Sequence, residues 1–195
     1  VMAKSWNKKI FKHIDEHVNQ ASKDLAEERG ACPDAADYGF KERFSNKTAI
    51  APTASISIIC GGASPGVEPI AANSYTHKTL SGSFNVRNKY LKKVLQKYKK
   101  DTDEVWSSVT TNQGSVSHLD FLTADEKDTF KTAFEIDQRW IVELGADRTP
   151  HISQAQSINV FVPADIHKKE LHDIHFQAWK KGLKSLYYCR SKSIQ

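Results

Sequence analysis

Tyr187 and Tyr188 stand side by side in "KSLYYCR", directly before Cys189. A phenol can lose an electron and its proton together and become a neutral radical, so two adjacent phenols suit a one-electron relay. The same pair also suits a buried strand, where successive side chains point to opposite faces. Each O–H then needs a hydrogen-bond partner. The local pattern leaves both readings open.

A second chemical stretch is "PTASIS", Pro52 to Ser57. A helix starting here presents unsatisfied N–H groups and about half a positive charge. The amides of residues 53–57, with the hydroxyls of Thr53, Ser55 and Ser57, can cradle a phosphate. Ala54 and Ile56 offer only backbone, and Pro52 only shape, because it lacks an N–H. No lysine lies in the turn, so it is not a Walker-type loop. A helix cap whose serines bond to backbone accounts for the same residues.

Two other patterns carry less. "HIDEH", residues 13–17, matches the H-x-x-E-H arrangement of inverted zinc proteases, and His13 and His17 lie four apart. Ile10, Ile14 and Val18 take the apolar face, however, which leaves the histidines beside Lys9, Lys12 and Glu16 on a solvated surface. His167, His172 and His175 read as surface or helix-packing residues, and no metal ligand set is assigned. The basic stretch 87–100 interleaves lysines with Tyr90 and Tyr98, as single-strand binders do. Here the tyrosines fall in the apolar stripe, so the lysines form a solvated face and no nucleic-acid partner is expected.

These residues need a scaffold. The 195 residues, 39% hydrophobic and 26% charged, suffice for a soluble globular core. No apolar run approaches the ~20 residues of a membrane span, and the charged N-terminal pattern lacks the apolar stretch of a signal peptide. Three scattered cysteines make no disulfide framework and fit a reducing cytoplasm. The net charge of +5 permits phosphate ligands without demanding nucleic acid. Helical periodicity begins almost at residue 1, which fits a piece of something larger.

Trp6, Ile10, Ile14, Val18, Ala21 and Leu25 recur at helical spacing and predict a long first helix buried along that stripe. Gly30 should cap it and Pro33 stop it, with residues 31–47 irregular. Thr48 to Ala51 reads as a short buried strand. Residues 55–60 read as a strand by β-propensity, or as a helix over 54–60 capped by Thr53. A loop follows at Gly61, Gly62 and Gly66 with Pro65 and Pro69. Helices are expected over 85–99, with Val86, Tyr90, Leu91, Val94, Leu95 and Tyr98 inward, and over 102–110. Thr123 and Glu126 form a capping box that starts a helix near Ala124. Another helix covers 135–146, with Ile136, Trp140, Ile141 and Leu144 on one side. "SINVFVP", 157–163, is a strand closed by proline. The last helix, 164–181, turns Ile166, Leu171, Ile174, Ala178 and Trp179 inward and carries Lys180 and Lys181 in its final turn. Gly182 caps it, and "LKSLYYC" forms a final strand. The class is α/β.

Read in order, "LAEERGACP", "IAPTASISIICGGASPGVEP", "DQRWIVELGADRTPHISQAQSINVFV" and "AWKKGLKSLYYCRSKS" resemble the large catalytic subunit of class I ribonucleotide reductase. "PTASIS" and "GVEP" are similar to its bacterial and bacteriophage members. The resemblance implies the C-terminal part of a ten-stranded α/β barrel, helix-rich with a few short strands, residues 1–195 forming one piece rather than a whole domain. It favours the helix at 54–60. It implies that Pro52, Thr53, Ala54, Ser55, Ile56 and Ser57 hold the substrate diphosphate. It also implies that Tyr188 and then Tyr187 pass a radical inward from a small subunit to a cysteine elsewhere.

The family's N-x-C-x-E motif does not occur in the sequence, and Cys32, Cys60 and Cys189 do not match its redox positions. The resemblance therefore implies a component that does not turn over alone. Its expected partners are the N-terminal part of the large subunit, a small subunit bearing the radical metal centre, and a ribonucleoside diphosphate. A dithiol reductant serves the complete enzyme, and this chain binds no cofactor. The alternative is a non-catalytic barrel fragment that docks the small subunit.

Overall fold

The computed structural model describes residues 2–61, 64–79 and 82–191. In chain order the helices and strands are α1 (Met2–Arg29), α2 (Pro33–Asp37), α3 (Ala54–Ile59), β1 (Ser74–Thr79), β2 (Gly82–Arg87), α4 (Lys89–Lys97) and α5 (Asp103–Thr111). They continue with α6 (Ala124–Thr129), α7 (Gln138–Arg148), β3 (Val160–Val162), α8 (Lys168–Lys180) and β4 (Cys189–Ser191). Short 3-10 turns occupy Ala133–Glu135 and Thr149–His151. The residues fall into two compact units, one of 1–67 with 138–195 and one of 68–137.

In the first unit α1 packs against α7 by polar pairs. The Lys4 ammonium lies 3.2 Å from Glu143 and that of Lys8 3.2 Å from Asp147. The Asn7 amide donates to the Leu144 carbonyl at 3.0 Å, and Arg148 donates to the Asn7 side-chain oxygen at 3.2 Å. The expected apolar burial is therefore only partly met. Trp6 (60%), Ile10 (48%) and Ile14 (39%) are exposed, whereas Ser22 and Ala26 are buried. The helix turns toward α7 the face that can form charge and amide pairs, and most of its apolar stripe is left over. Gly30 ends α1 at a φ of +82°, as expected of a cap. Pro33 does not leave an irregular stretch. It opens α2, where a missing N–H costs nothing.

The strand expected at 48–51 is reduced to one parallel bridge, Ile50 to Gln156, flanked by Ile50 N–H to Ala155 O and Ser157 N–H to Ile50 O. β3 is shorter than 157–163 but fully buried. It pairs in parallel with β4, Val160 opposite Cys189 and Val162 opposite Ser191. Its core partners are Val142, Ile174 and Ala178, with Ile166, Leu183 and Leu186 packed against them. Trp179, expected inward, is 72% exposed, because Ile174 and Ala178 already occupy the inner face of α8. Trp140 is likewise exposed beside the buried Ile141 and Val142. Gly182 has a φ of +79° past α8, as its capping role requires.

The second unit centres on Leu91, Leu95, Trp106, Val109, Val116, Leu119 and Leu122. Its antiparallel hairpin, β1 with β2 in the register Ser74–Arg87 to Thr79–Gly82, was not expected. Val86 belongs to this hairpin rather than to a helix, because Asn88 starts α4 by accepting the amides of Tyr90 and Leu91. Tyr90, expected inward on α4, is 60% exposed. β2 is exposed along its length, so no alternating burial marked it in the sequence. The Thr123–Glu126 capping box is formed as predicted, as are α5 and the loop at Gly61 and residues 64–69. Gly62, part of that expected loop, lies outside the described residues.

Candidate functional site

Tyr187 and Tyr188 do not sit inside a paired strand. They immediately precede β4, in extended backbone tied to β3 by Tyr187 N–H to Ile158 O at 2.7 Å and Val160 N–H to Tyr188 O at 2.9 Å. Their rings do not diverge to opposite faces either. The centroids are 4.2 Å apart with the planes tilted by 55°, and the residues are 46% and 54% exposed. The two phenols are therefore in direct ring contact. The Tyr188 hydroxyl, first by hydrogen bonding and then by charge, raises the Tyr187 phenol above the ordinary tyrosine pKa. Partial burial adds to the rise and the Arg190 guanidinium opposes it. A protonated phenol yields a neutral radical only when proton and electron leave together.

The Pro52–Ser57 turn leads into α3, so the helical reading of 54–59 holds. Thr53 stands at the N-cap position without a side-chain cap. Its amide and hydroxyl both donate to the Pro65 carbonyl, at 3.3 and 3.0 Å, and pin the following loop back onto the turn. Ser57 is buried, and its hydroxyl donates to the Ala54 carbonyl at 2.7 Å. Two of the three candidate hydroxyls are therefore engaged within the chain. The Ala54, Ser55 and Ile56 amides form the first turn, where a helix has no internal acceptors to offer, and Ser55 is exposed beside them.

Backbone register relates the two features. Ile50 is bridged in parallel to Gln156, and Ile158 accepts from Tyr187. Two residues beyond Ile50 is Pro52, and two beyond Gln156 is Ile158. The turn and the tyrosine pair thus lie level with one another across three neighbouring parallel segments, the turn where its own segment ends and the tyrosines where β4 begins. At a strand spacing of about 4.8 Å, their backbones lie about 10 Å apart.

The discarded motifs behave as surface. The His13 and His17 rings lie 4.0 Å apart, tilted by 47°, on the exposed side of α1, with His17 Nδ1 2.9 Å from the His13 carbonyl. Among the described residues no group of three or more histidine, cysteine or carboxylate side chains can hold a metal. His167 caps α8, and His175 Nδ1 meets the Leu171 carbonyl. Two features escaped the sequence reading. His172, Phe176 and Trp179 form an aromatic row on the exposed side of α8, which their i, i+4, i+7 spacing signals. Arg190 lies over the Tyr188 ring, which the two-residue spacing in an extended segment signals.

Residues 34–189 match the family described as ribonucleotide reductase, barrel domain. The ribonucleoside-diphosphate reductase large subunit of Invertebrate iridescent virus 6 is 46% identical over 98% of this chain and 20% of its own length. That of Invertebrate iridescent virus 3 is 47% identical over 96% of this chain and 30% of its own. The Actinobacillus ureae class Id ribonucleotide reductase alpha subunit superposes with a TM-score of 0.89 at 38% identity, covering 99% of this chain and 35% of that one. The chain spans about a fifth to a third of the length of these relatives.

Proposed function

The chain belongs to the ribonucleotide reductase barrel-domain family, and from that footing we propose that it supplies the inner radical relay and the substrate-phosphate turn of a class I ribonucleoside-diphosphate reductase. The observation that carries the proposal is the 4.2 Å approach of the Tyr187 and Tyr188 rings at the level where the Pro52–Ser57 turn departs from a neighbouring parallel segment. Tyr188 receives the radical and Tyr187 passes it on, toward a cysteine contributed by the remainder of the large subunit. Phosphate oxygens of a ribonucleoside diphosphate accept from the Ala54, Ser55 and Ile56 amides and from the Ser55 hydroxyl. Pro52 and Thr53 fix the turn, and Ser57 fixes its first helical residues.

Residues 1–195 act as one segment of the barrel, completed by the N-terminal part of the large subunit. The apolar residues left exposed on α1 support this, since a barrel that closes would cover them. A small subunit carries the radical metal centre, and a dithiol supplies the reducing equivalents in the complete enzyme. The setting is cytoplasmic; no described helix is long and apolar enough to cross a membrane. Class I membership draws support from the class Id alpha subunit. The bacterial or bacteriophage lineage draws on "PTASIS" and "GVEP", beside relatives of viral, nematode and bacterial origin. The second reading, a docking module without catalysis, draws on the aromatic row of α8.

Reconstitution tests the proposal. The chain is combined with the remainder of the large subunit, bearing N-x-C-x-E, and with the small subunit, and deoxyribonucleoside diphosphate is measured. Turnover requires all three. Turnover by this chain alone, or equal turnover without it, defeats the proposal.

A further inference from the structure

Tyr188 and Arg190 are two residues apart in extended backbone, so their side chains share a face. Both ends of the stretch are held. Tyr188 O accepts from Val160, and Arg190 pairs with Phe161 in the parallel register. The guanidinium carbon lies 5.4 Å from the Tyr188 ring centroid, within the ~6 Å reach of a cation–π contact. No carboxylate among the described residues forms an ion pair with Arg190, so its charge is not neutralised there.

We propose that Arg190 is a positioning residue for the radical. By holding a cation over the Tyr188 ring it disfavours the phenoxyl there and directs the radical inward to Tyr187, an inference that rests on the relay reading above. The physics is one of charge. The π face of an intact phenol is electron-rich and attracts the cation, whereas the phenoxyl has lost an electron and attracts it less. In the step concerned the O–H bond of Tyr187 breaks, and its hydrogen, one proton with one electron, forms an O–H bond at the Tyr188 oxygen. Tyr187 is oxidised and Tyr188 reduced, and no other reactant takes part. The cation stabilises the product side, on which Tyr188 is again a phenol. At a solvent-exposed site the bias is about three- to fivefold.

The test uses the reconstituted three-part enzyme in a Tyr187→Phe background, where the radical can travel no further than Tyr188. Electron paramagnetic resonance measures the share of radical that leaves the small subunit. Its assignment to Tyr188 is checked by its loss on adding Tyr188→Phe. Small-subunit binding is measured on the same samples, so that the share is expressed per bound complex. Arg190→Gln raises the share about three- to fivefold, and Arg190→Lys, which keeps the charge, leaves it near the parent value. An unchanged share in Arg190→Gln overturns the inference, and so does an equal rise in both variants. Absence of any Tyr188 radical in the Tyr187→Phe parent defeats the relay reading itself, and the inference with it.

Discussion

Lys181, just past the end of α8, lies 2.7 Å from the Glu143 carboxylate of α7, which holds Lys4 of α1 at 3.2 Å through its other oxygen. One carboxylate therefore ties three helices around the segments that carry the tyrosine pair. The Lys181 hydrogen bond, with Lys4 acting in the same direction, holds the Glu143 carboxyl below its ordinary pKa of 4.5. A depressed carboxyl contributes stability above its unfolded value and loses it as pH falls through the folded one. Glu143→Gln should accordingly lower stability by about 1 kcal/mol near neutral pH, the upper range for a partly exposed pair. The difference from the parent should begin to shrink as pH falls toward 4.5 and vanish only once pH lies below the depressed carboxyl of the folded state as well. Thermal unfolding across that range checks both parts, and a difference that persists into acid would contradict the electrostatic account.

Gly114 in the second unit has a φ of +81°, and an added Cβ would sit 2.3 Å from the Ala72 Cβ and 2.9 Å from the Asn73 amide nitrogen. Asn73 is buried there and cannot yield, because its side-chain amide donates to the Gly114 and Phe130 carbonyls while its oxygen accepts from Asn88. Gly114→Ala should cost about 3 kcal/mol or more, adding overpacking to a left-handed backbone. Gly30→Ala is the comparison. Its φ is +82°, but nothing lies within 4 Å of an added Cβ, so only about 1–2 kcal/mol is expected. Chemical denaturation of the two variants should separate the clash from the conformation.

Signals held in a few neighbouring residues were legible before the structure. The Thr123–Glu126 box and the Gly30 and Gly182 caps each depend on residues within a turn or two. What failed depended on distant partners. The α1 stripe was read as buried because nothing local says that α7 would present Glu143 and Asp147 to the other face. The hairpin was not expected because β2, exposed along its whole length, leaves no alternation to read. At the site the residue types were legible, and a serine bonded to backbone was one of the two readings, which Ser57 meets through Ala54; the bond that engages Thr53 was not legible, since its acceptor is Pro65, twelve residues away.

That difference in engagement yields a prediction for the turn. Ser55→Ala removes an exposed hydroxyl and leaves the fold intact. In the reconstituted enzyme it should raise KM for ribonucleoside diphosphate about tenfold, the value of one hydrogen bond to a charged group, with little change in unfolding temperature. Ser57→Ala instead removes a buried residue's hydroxyl that donates to the Ala54 carbonyl. Its first effect should be a loss of stability of about 1–2 kcal/mol. If both variants change KM alike while neither changes stability, the division of labour within the turn is wrong.

The tyrosines separate the two functional readings. Phenylalanine keeps the ring, so it preserves most of the 4.2 Å packing and any surface that the small subunit contacts. It lacks the O–H, so it cannot release a proton with an electron and form a neutral radical. Tyr187→Phe and Tyr188→Phe should each drop turnover of the reconstituted enzyme to background while small-subunit binding stays within about twofold, a few tenths of a kcal/mol. The variants should differ in where the radical stops. Tyr188→Phe keeps it on the small subunit, and Tyr187→Phe lets it reach Tyr188. A docking module predicts no change in turnover from either substitution, because neither removes a contact that packing requires. Retained turnover in both variants would leave the aromatic row of α8 as the better account of what this segment does.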